Sequence, residues 1–270
     1  MEKVAIICPI KDENTFIHKF FEYYKQHLES RDIYILDFGS SEEYIKDVIL
    51  PNANVIHTDV DILDAPGVFN EIKKNMELLK SEGYDFVIPL DVDEILYYYE
   101  DPNSVYYQAI GGLKGFLQGL TKKDNIITCR GYEVLHIPTL QEDLKADEPW
   151  SNQIKYWYPE QQHYGKTLIS RNQLDWGIGF HKYKINNVWQ NPQYNSQLFL
   201  IHMHKIDFKT TIERHQKWSS MQWSDETIEN GYNYHYRMNE RQKIIDWYFE
   251  PILNNVIYEI PDAVKNNLKI

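Results

Sequence analysis

Runs of apolar residues alternate with amphipathic segments along the first hundred residues of the chain. The apolar runs predict four strands, at 4–10, 32–40, 54–61 and 85–96. The segments between them have apolar residues every three or four positions and predict helices at 14–30, 42–50 and 64–83. This alternation predicts an α/β fold with a mostly parallel sheet flanked by helices.

The second half of the chain has a less regular pattern, which predicts an α+β arrangement. The pattern predicts a helix at 104–120, strands at 125–137, 166–171 and 197–206, and helices at 207–218 and 239–253. Residues 138–165 are polar, aromatic and contain prolines, which predicts a long loop or insertion. We expect one domain over 1–270, loosely divided into 1–100 and 101–270.

Charged residues stand where the first four predicted strands end. In open α/β sheets, ligands bind beside the carboxyl ends of the strands. The residues at these ends are Pro9, Lys11, Asp12 and Glu13, then Asp37, Gly39 and Ser40, then Asp59 and Asp61, and finally Asp91 and Asp93. We therefore expect acidic side chains from separate strands to converge on one edge of the sheet.

The sequence FVIPLDVDEIL, residues 86–96, places three carboxylates directly after an apolar run. Asp91 and Asp93 are two positions apart, so a continuing strand would point both to one face. Two carboxylates on one face suit Mg²⁺ or Mn²⁺, which are typically shared with substrate phosphates. The alternative is a solvated turn after an edge strand.

Two histidines, His202 and His204, share one side of the predicted strand at 197–206. One imidazole could complete the ligand shell of the cation, and a nitrogen ligand favours Mn²⁺ over Mg²⁺. His204 is nearer the end of the strand and is the favoured ligand. The alternative is that both are packed or hydrogen-bonded histidines.

Residues 174–184, LDWGIGFHKYK, place glycines among aromatic residues. Glycine permits close approach of a ligand to the backbone, and an aromatic ring could stack on a sugar. Asp175 could act as a general base toward an acceptor hydroxyl. The alternative is a tight turn with buried aromatic residues. The sequence contains no G-x-G-x-x-G after its first strand and no P-loop motif, so the common nucleotide motifs lack support.

Composition narrows the classes of function further. A net charge of −12 argues against nonspecific nucleic-acid binding through a basic face. The 21 tyrosines and 7 tryptophans could stack on sugar rings or fill the core. Cys8 and Cys129 lie in predicted strands and are expected to be buried thiols. No apolar run approaches the ~18 residues of a membrane span, so we expect a cytoplasmic protein, with peripheral contact to the inner face of a membrane left open.

Several segments resemble glycosyltransferases of the GT-A fold, in particular the family-2-like group. IICPIKDENTFIHKFFEYYKQH resembles that group's first strand, K-[ND]-E turn and aromatic-rich helix. ILDFGSSEEY resembles its second strand, and FVIPLDVDEIL resembles its D-x-D strand. GFHK and HMHKIDF resemble its late histidine-containing segments. The resemblance is good through residue 96, fair over 165–218, and does not extend over 100–165.

This resemblance implies a transferase that moves a sugar from a nucleotide-diphosphate sugar, expected to be a UDP-sugar, to a polysaccharide, glycolipid or glycoprotein. Half 1–100 would bind the nucleotide and half 101–270 the acceptor. By position, the residues bordering the nucleotide would be Pro9, Lys11, Asp12, Glu13 and Asp37. Asp91 would hold the ribose or a metal-bound water, while Asp93 and His204 would ligate Mn²⁺ or Mg²⁺. The group's catalytic base usually belongs to a Glu-Asp pair that has no counterpart in the expected place here, so Asp175 and Glu148 are the candidates for it.

Two other classes of function are alternatives. A nucleotidyltransferase that makes nucleotide sugars usually has a glycine-rich loop after its first strand, whereas CPIKDENT contains no glycine. An inactive carbohydrate-binding module would be marked by loss of the D-x-D carboxylates, and both are present.

Overall fold

The computed structural model describes residues 2–42, 53–59, 64–99, 112–145, 148–268 and 270. Residues 43–50 of the predicted helix at 42–50, Asp61 and the first part of the predicted helix at 104–120 therefore lie outside the described residues. The strands are β1 Val4–Ile10, β2 Ile33–Asp37, β3 Asn54–His57, β4 Phe86–Pro89, β5 Glu94–Tyr98, β6 Ile126–Leu135, β7 Tyr156–Pro159, β8 Thr167–Ser170, β9 Asp175–Trp176, β10 Tyr183–Ile185, β11 Val188–Trp189, β12 Tyr194–Lys205 and β13 Tyr258–Glu259. The helices are α1 Ile17–Tyr24, α2 Ala65–Ser81, α3 Gly112–Gly119, α4 Trp150–Gln153, α5 Gln161–Tyr164, α6 Phe208–Ser219, α7 Asp225–Glu229, α8 Arg241–Asn254 and α9 Asp262–Leu268.

The first half of the chain forms a parallel sheet in the order β3-β2-β1-β4. In the centre of this sheet, Ile6 pairs with Ile33 on one side and with Ile88 on the other. All three isoleucines are fully buried, as expected for a parallel sheet covered on both faces. The α/β class predicted from the sequence is confirmed.

The second half of the chain is built around a mixed sheet in the order β13-β7-β6-β12-β5, with β8 also pairing with β6. Strand β12 runs parallel to β6 and antiparallel to β5. A small sheet of β9, β10 and β11 lies apart from this path. The less regular α+β second half predicted from the sequence is confirmed.

The prediction of one strand over 85–96 is wrong. Strand β4 ends at Pro89, and Leu90 donates a last hydrogen bond of 3.0 Å to Ile7. The chain then turns and enters the second sheet as β5, which pairs with β12. Asp91 and Asp93 thus lie in a turn that joins the two sheets, and the inference that strand alternation points both to one face does not hold.

The prediction that 138–165 is a loop is also wrong in part. This segment contains β7 and the short helices α4 and α5. The aromatic residues that made it look irregular are core residues: Trp150, Trp157 and Tyr158 are each at most 5% exposed. Their burial supplies the apolar contacts that an isolated strand of four residues lacks.

Local signals set the helix boundaries. Helix α1 begins later than predicted, because the carboxylate of Glu13 accepts the N–H groups of Thr15 and Phe16 just before it begins, and it also ends earlier, at Tyr24. Helix α2 begins after Asp64, whose carboxylate accepts the N–H of Gly67. Asp207 caps α6 in the same way, as predicted.

Two further sequence predictions can be compared with the structure. Cys8 and Cys129 are buried free thiols, as predicted. Among the described residues, no helix is both long and apolar enough to cross a membrane.

Candidate active site

A cavity of about 490 Å³ opens where β1 and the β4–β5 turn meet the end of β12. Of the residues predicted to form a site, those that line it are Pro9, Lys11, Glu13, Asp91, Asp93 and His204. The remaining wall comes from segments far away in sequence, including Tyr164, Lys166, His181, His202, Lys205, Arg214, Trp218, Tyr236 and Trp247. The predicted convergence on the carboxyl edge of the sheet is therefore present, but the second half of the chain supplies most of the wall.

Asp93 is buried and held by two cations. One carboxylate oxygen accepts a hydrogen bond of 2.9 Å from Arg214, and the other lies 3.6 Å from Nε2 of His202. Burial alone would raise the pKa of Asp93, but the charges of His202 and Arg214 outweigh it and lower the pKa to about 2. Asp93 is therefore ionised at every physiological pH.

Asp91 has a different environment, because its side chain is 53% exposed and pairs with Lys166 at 2.8 Å. Lys166 is buried and also lies 2.5 Å from the carboxylate of Glu94. Glu94 in turn accepts the N–H of Asp91 at 2.9 Å, so it braces both a lysine and the backbone of the turn. Burial raises the pKa of Glu94 to about 7, against the opposing effect of Lys166.

His202 forms an ion pair that sequence reasoning missed. Its Nδ1 lies 2.7 Å from the carboxylate of Glu133, and its ring stacks on Tyr164 at a centroid distance of 4.0 Å. Burial lowers the pKa of His202, but Glu133 and Asp93 raise it more, to about 9. The only sequence signal for Glu133 was an acidic residue inside a mostly apolar predicted strand.

His204 is buried among aromatic rings. Its Nε2 lies 3.1 Å from Nε2 of His215, and its Nδ1 lies 3.2 Å from the hydroxyl of Tyr236. Burial and the charge of Arg214 hold the pKa of His204 well below its usual range. His204 is thus a neutral imidazole, the form that can ligate a metal.

The described residues contain a donor set that fits a divalent cation. One donor atom each from Asp93, His202 and His204 lie within 4.8 Å of one another, and all three residues are buried. Glu133 holds the far nitrogen of His202, the arrangement by which proteins orient a metal-binding imidazole. A carboxylate with two imidazoles suits Mn²⁺ better than Mg²⁺, and binding would require His202 to release its Nε2 proton. The predicted ligands Asp93 and His204 come together in this set, with His202 in addition, whereas Asp91 pairs with Lys166.

A second cluster of possible ligands comprises His136, Asp143 and Asp207. Two of its members are engaged in local hydrogen bonds. His136 accepts the N–H of Phe208 at 3.2 Å, and Asp207 accepts those of Thr210 and Leu144. These bonds hold the start of α6 in place.

The loops after β1 and β2 form a tightly bonded rim. Lys11 donates to the carbonyl groups of Phe38 and Gly39 at 3.0 and 2.9 Å. Asp12, with a φ of 47°, accepts the N–H of Ser41. Asp37 is buried and binds Ser40 and, at 3.0 Å, Nδ1 of His57. Asp12 and Asp37 are not among the residues lining the cavity, and they support the rim from behind.

The two carboxylates predicted as a catalytic base do not line the cavity. Asp175 has a half-exposed side chain 3.9 Å from Lys184. Glu148 is exposed and lies 3.4 Å from Lys145. The structure does bring Gly179, Phe180 and His181 of the predicted glycine-aromatic segment into the wall. Asp175 and Glu148 remain predictions that the structure does not bring together with the other site residues.

Comparisons with known proteins found similarities at the level of structure alone. No family model matches the sequence, and the search of curated proteins gave no match. A cytidylyltransferase from Leptospira borgpetersenii aligns at 15% identity over 34% of this chain and 42% of its own, with a TM-score of 0.25. A nucleotide-diphospho-sugar transferase from Desulfovibrio desulfuricans G20 aligns at 15% identity over 49% of this chain and 59% of its own, with a TM-score of 0.30. An active-site mutant of LgtC aligns at 17% identity over 96% of this chain and 85% of its own, with a TM-score of 0.27.

These alignments span less than two thirds of the first two chains, and all three TM-scores are below 0.5. The structures that the chain resembles are those of transferases and cytidylyltransferases, and at this level of similarity they do not assign a reaction to it. The chemistry must be argued from the cavity itself.

Proposed function

We propose that this protein is a metal-dependent glycosyltransferase that moves a sugar from a nucleotide-diphosphate sugar to a glycan or glycolipid acceptor. The observation that carries the proposal is the meeting of Asp93 with His202 and His204 in a cavity at the carboxyl end of a parallel sheet. A buried carboxylate with two imidazoles suits a divalent cation, and this edge of the sheet is where nucleotides bind in α/β proteins.

The residues of the chain divide into two roles at the donor. Asp93, His202 and His204 would hold Mn²⁺ or Mg²⁺, which supplies a Lewis acid for the negative charge that develops on the departing diphosphate. Lys11, Lys205 and Arg214 add positive charge to the wall and can donate hydrogen bonds to phosphate oxygens. The expected donor is a UDP-sugar, bordered by Pro9 and Lys11.

The acceptor would enter along the aromatic wall of the cavity. Trp218, Trp223, Tyr234 and Trp247 line this wall, and Tyr234 is 57% exposed. Aromatic faces beside polar tips are the surfaces on which sugar rings stack. Glu160 and Glu250 also line the cavity. Substituting each of them, as well as Asp175 and Glu148, would test which carboxylate is the catalytic base.

A thermal-shift panel of nucleoside diphosphates, with and without Mn²⁺, tests the proposal first. A ligand that binds only the folded protein raises its melting temperature by mass action. We expect UDP to raise the melting temperature only when Mn²⁺ is present. The corresponding nucleotide sugar should then release a nucleoside diphosphate during turnover. Production of pyrophosphate from a nucleoside triphosphate and a sugar phosphate would instead assign a nucleotidyltransferase, and no shift with any nucleotide would contradict both enzymes.

A further inference from the structure

Arg214 already pairs with Asp93, the carboxylate that the cation would bind. It extends from α6, and its guanidinium donates a hydrogen bond of 2.9 Å to Asp93. The same guanidinium lies 3.9 Å from Glu13 and 4.5 Å from the ring centre of Phe16. The residue is only 7% exposed, so this pairing takes place away from water.

Arg214 and a divalent cation would make competing demands on Asp93. Arg214 already pairs with this carboxylate, and both side chains are buried. A divalent cation bound beside the guanidinium would place two cations on one buried carboxylate, which is unfavourable. The cation enters at lower cost if Arg214 moves away from Asp93 or if an anion accompanies it.

Arg214 is the cation better suited to leave. His202 is fixed by Glu133 and by the stacked ring of Tyr164. Arg214, in contrast, has a buried Nε–H without a hydrogen-bond partner among the described residues. A guanidinium has five donors and binds a carboxylate or phosphate best in a two-pronged arrangement, which its single short bond to Asp93 does not provide.

We propose that Arg214 competes with the divalent cation for Asp93, neutralising this carboxylate in the free protein and moving to the donor's diphosphate when the cation binds. The movement of Arg214 to the diphosphate rests on the proposed function, because only a nucleotide-diphosphate ligand supplies this new partner. Metal and nucleotide then bind cooperatively. The cation displaces the guanidinium from Asp93, and the diphosphate gives the displaced guanidinium a new anionic partner.

Binding of Mn²⁺ without nucleotide tests the competition directly. Mn²⁺ titrations followed by electron paramagnetic resonance would compare the wild-type protein with Arg214→Gln, which has a similar length but no charge. We expect Arg214→Gln to bind Mn²⁺ about 10- to 100-fold more tightly, the equivalent of one hydrogen bond to a charged group. Unchanged or weaker binding of Mn²⁺ by this variant would overturn the proposal.

Lys205→Met is the matched control for a general change in electrostatic potential. Lys205 lines the same cavity but donates to the carbonyl of Trp247 at 2.9 Å rather than to Asp93. We expect its loss to change Mn²⁺ affinity much less than the loss of Arg214. An equal gain in the two variants would show that net charge, and not competition for Asp93, sets the affinity.

A measurement on the wild-type protein keeps the proposal testable if Arg214→Gln does not fold. Diamagnetic Mg²⁺ would be titrated while the buried Nε–H of Arg214 is followed by nuclear magnetic resonance, with its signal assigned by its loss in Arg214→Lys. We expect the signal to shift as Mg²⁺ saturates the site. Saturation without a shift of this signal would overturn the competition.

The movement of Arg214 to the diphosphate is tested by a separate experiment. In the presence of UDP, the Mn²⁺ affinity of the wild-type protein should rise by a larger factor than that of Arg214→Gln. Equal factors would overturn the transfer of Arg214 to the diphosphate. If UDP binds to neither protein, the proposed function fails, whereas the competition for Asp93 is decided by the experiments without nucleotide.

Discussion

The ion pair between Glu133 and His202 predicts a stability that depends on pH. Replacing Glu133 by Gln keeps the shape of the side chain and an oxygen for Nδ1 of His202, but it removes the buried negative charge. Gln also cannot use both of its ends as acceptors, so the N–H of Lys205, which now donates to Glu133 at 3.1 Å, loses part of its support. That second loss does not depend on pH, which allows the two effects to be separated.

The magnitude follows from the pKa of His202. Burial lowers this pKa, while Glu133 and Asp93 raise it from 6.5 to about 9. At ~1.4 kcal/mol per pKa unit, this corresponds to about 3 kcal/mol of stability. Because the folded pKa is the higher one, the contribution is complete below pH 6.5 and is lost as pH rises through 9. Glu133→Gln removes the largest charge that raises this pKa while Asp93 remains, so ~3 kcal/mol is the upper limit of the loss.

The assay is thermal unfolding of both proteins at half-unit steps from pH 6 to 9.5, with EDTA present to exclude metal ions. For a chain of this size, ~3 kcal/mol corresponds to about 6–12 °C in melting temperature. We expect the deficit of Glu133→Gln to be largest at pH 6 and to shrink as pH approaches 9. Two curves that stay parallel over this range would refute the reasoning, because they would show that Glu133 does not set the pKa of His202 in the folded protein.

Three further substitutions test the site and the fold. Asp93→Asn should weaken Mn²⁺ binding and lower sugar transfer by about two orders of magnitude or more, while the melting temperature shows a folded protein. Asp246→Asn, at an exposed position, should transfer sugar normally. Full transfer by Asp93→Asn would remove Asp93 from the proposed metal site. Tyr24→Phe should lower the free energy of unfolding in urea by about 1–3 kcal/mol. The buried hydroxyl of Tyr24 accepts an N–H of β5 at 2.6 Å and donates to a carbonyl of β5 at 3.1 Å. A change within error would show that water replaces the hydroxyl. Gly131→Ala should unfold at clearly lower temperature, since its added carbon would lie 2.4–2.6 Å from backbone atoms of 160–165. Gly119→Ala meets nothing within 4 Å and should be neutral. Similar melting temperatures for the two variants would contradict the close approach of residues 160–165 to Gly131.

Local sequence patterns predicted most of the elements that build the fold. The strand Val4–Ile10 and the cap Asp207 were predicted residue for residue, because an unbroken apolar run and an N-cap are local signals. The break after Pro89 was missed, because only residues 90–93 separate two buried strands that belong to different sheets. Only the pairing of β5 with β12 distinguishes the two strands, and that pairing is between residues far apart in sequence.

Asp93 and His204, two of the predicted ligands, come together in the candidate site, but the residues that contact them were not predicted. Asp93 and His204 stand in short motifs, whereas Glu133, Lys166 and Arg214 act through partners 69 to 121 positions away. The Gly179–His181 part of the glycine-aromatic segment does reach the cavity, but Asp175 belongs to a hairpin strand paired with Lys184 and lies outside the wall. Asp175 is close in sequence to the residues that line the cavity, but the pairing of β9 with β10 places it outside the wall.

The pairing of β5 with β12 also determines which side chains of β12 become the candidate metal ligands during folding. His202 lies opposite Glu94, and alternation along β12 places Met203 on the other side, where it is 1% exposed. A slip of one residue would bury both imidazoles in the apolar core and turn Met203 into the cavity. Burial of aliphatic side chains therefore rejects the misaligned strand before any ion is bound. The ligand set would be assembled by the folding of the core, so an apoprotein purified without metal should already hold it in place and bind Mn²⁺ without refolding.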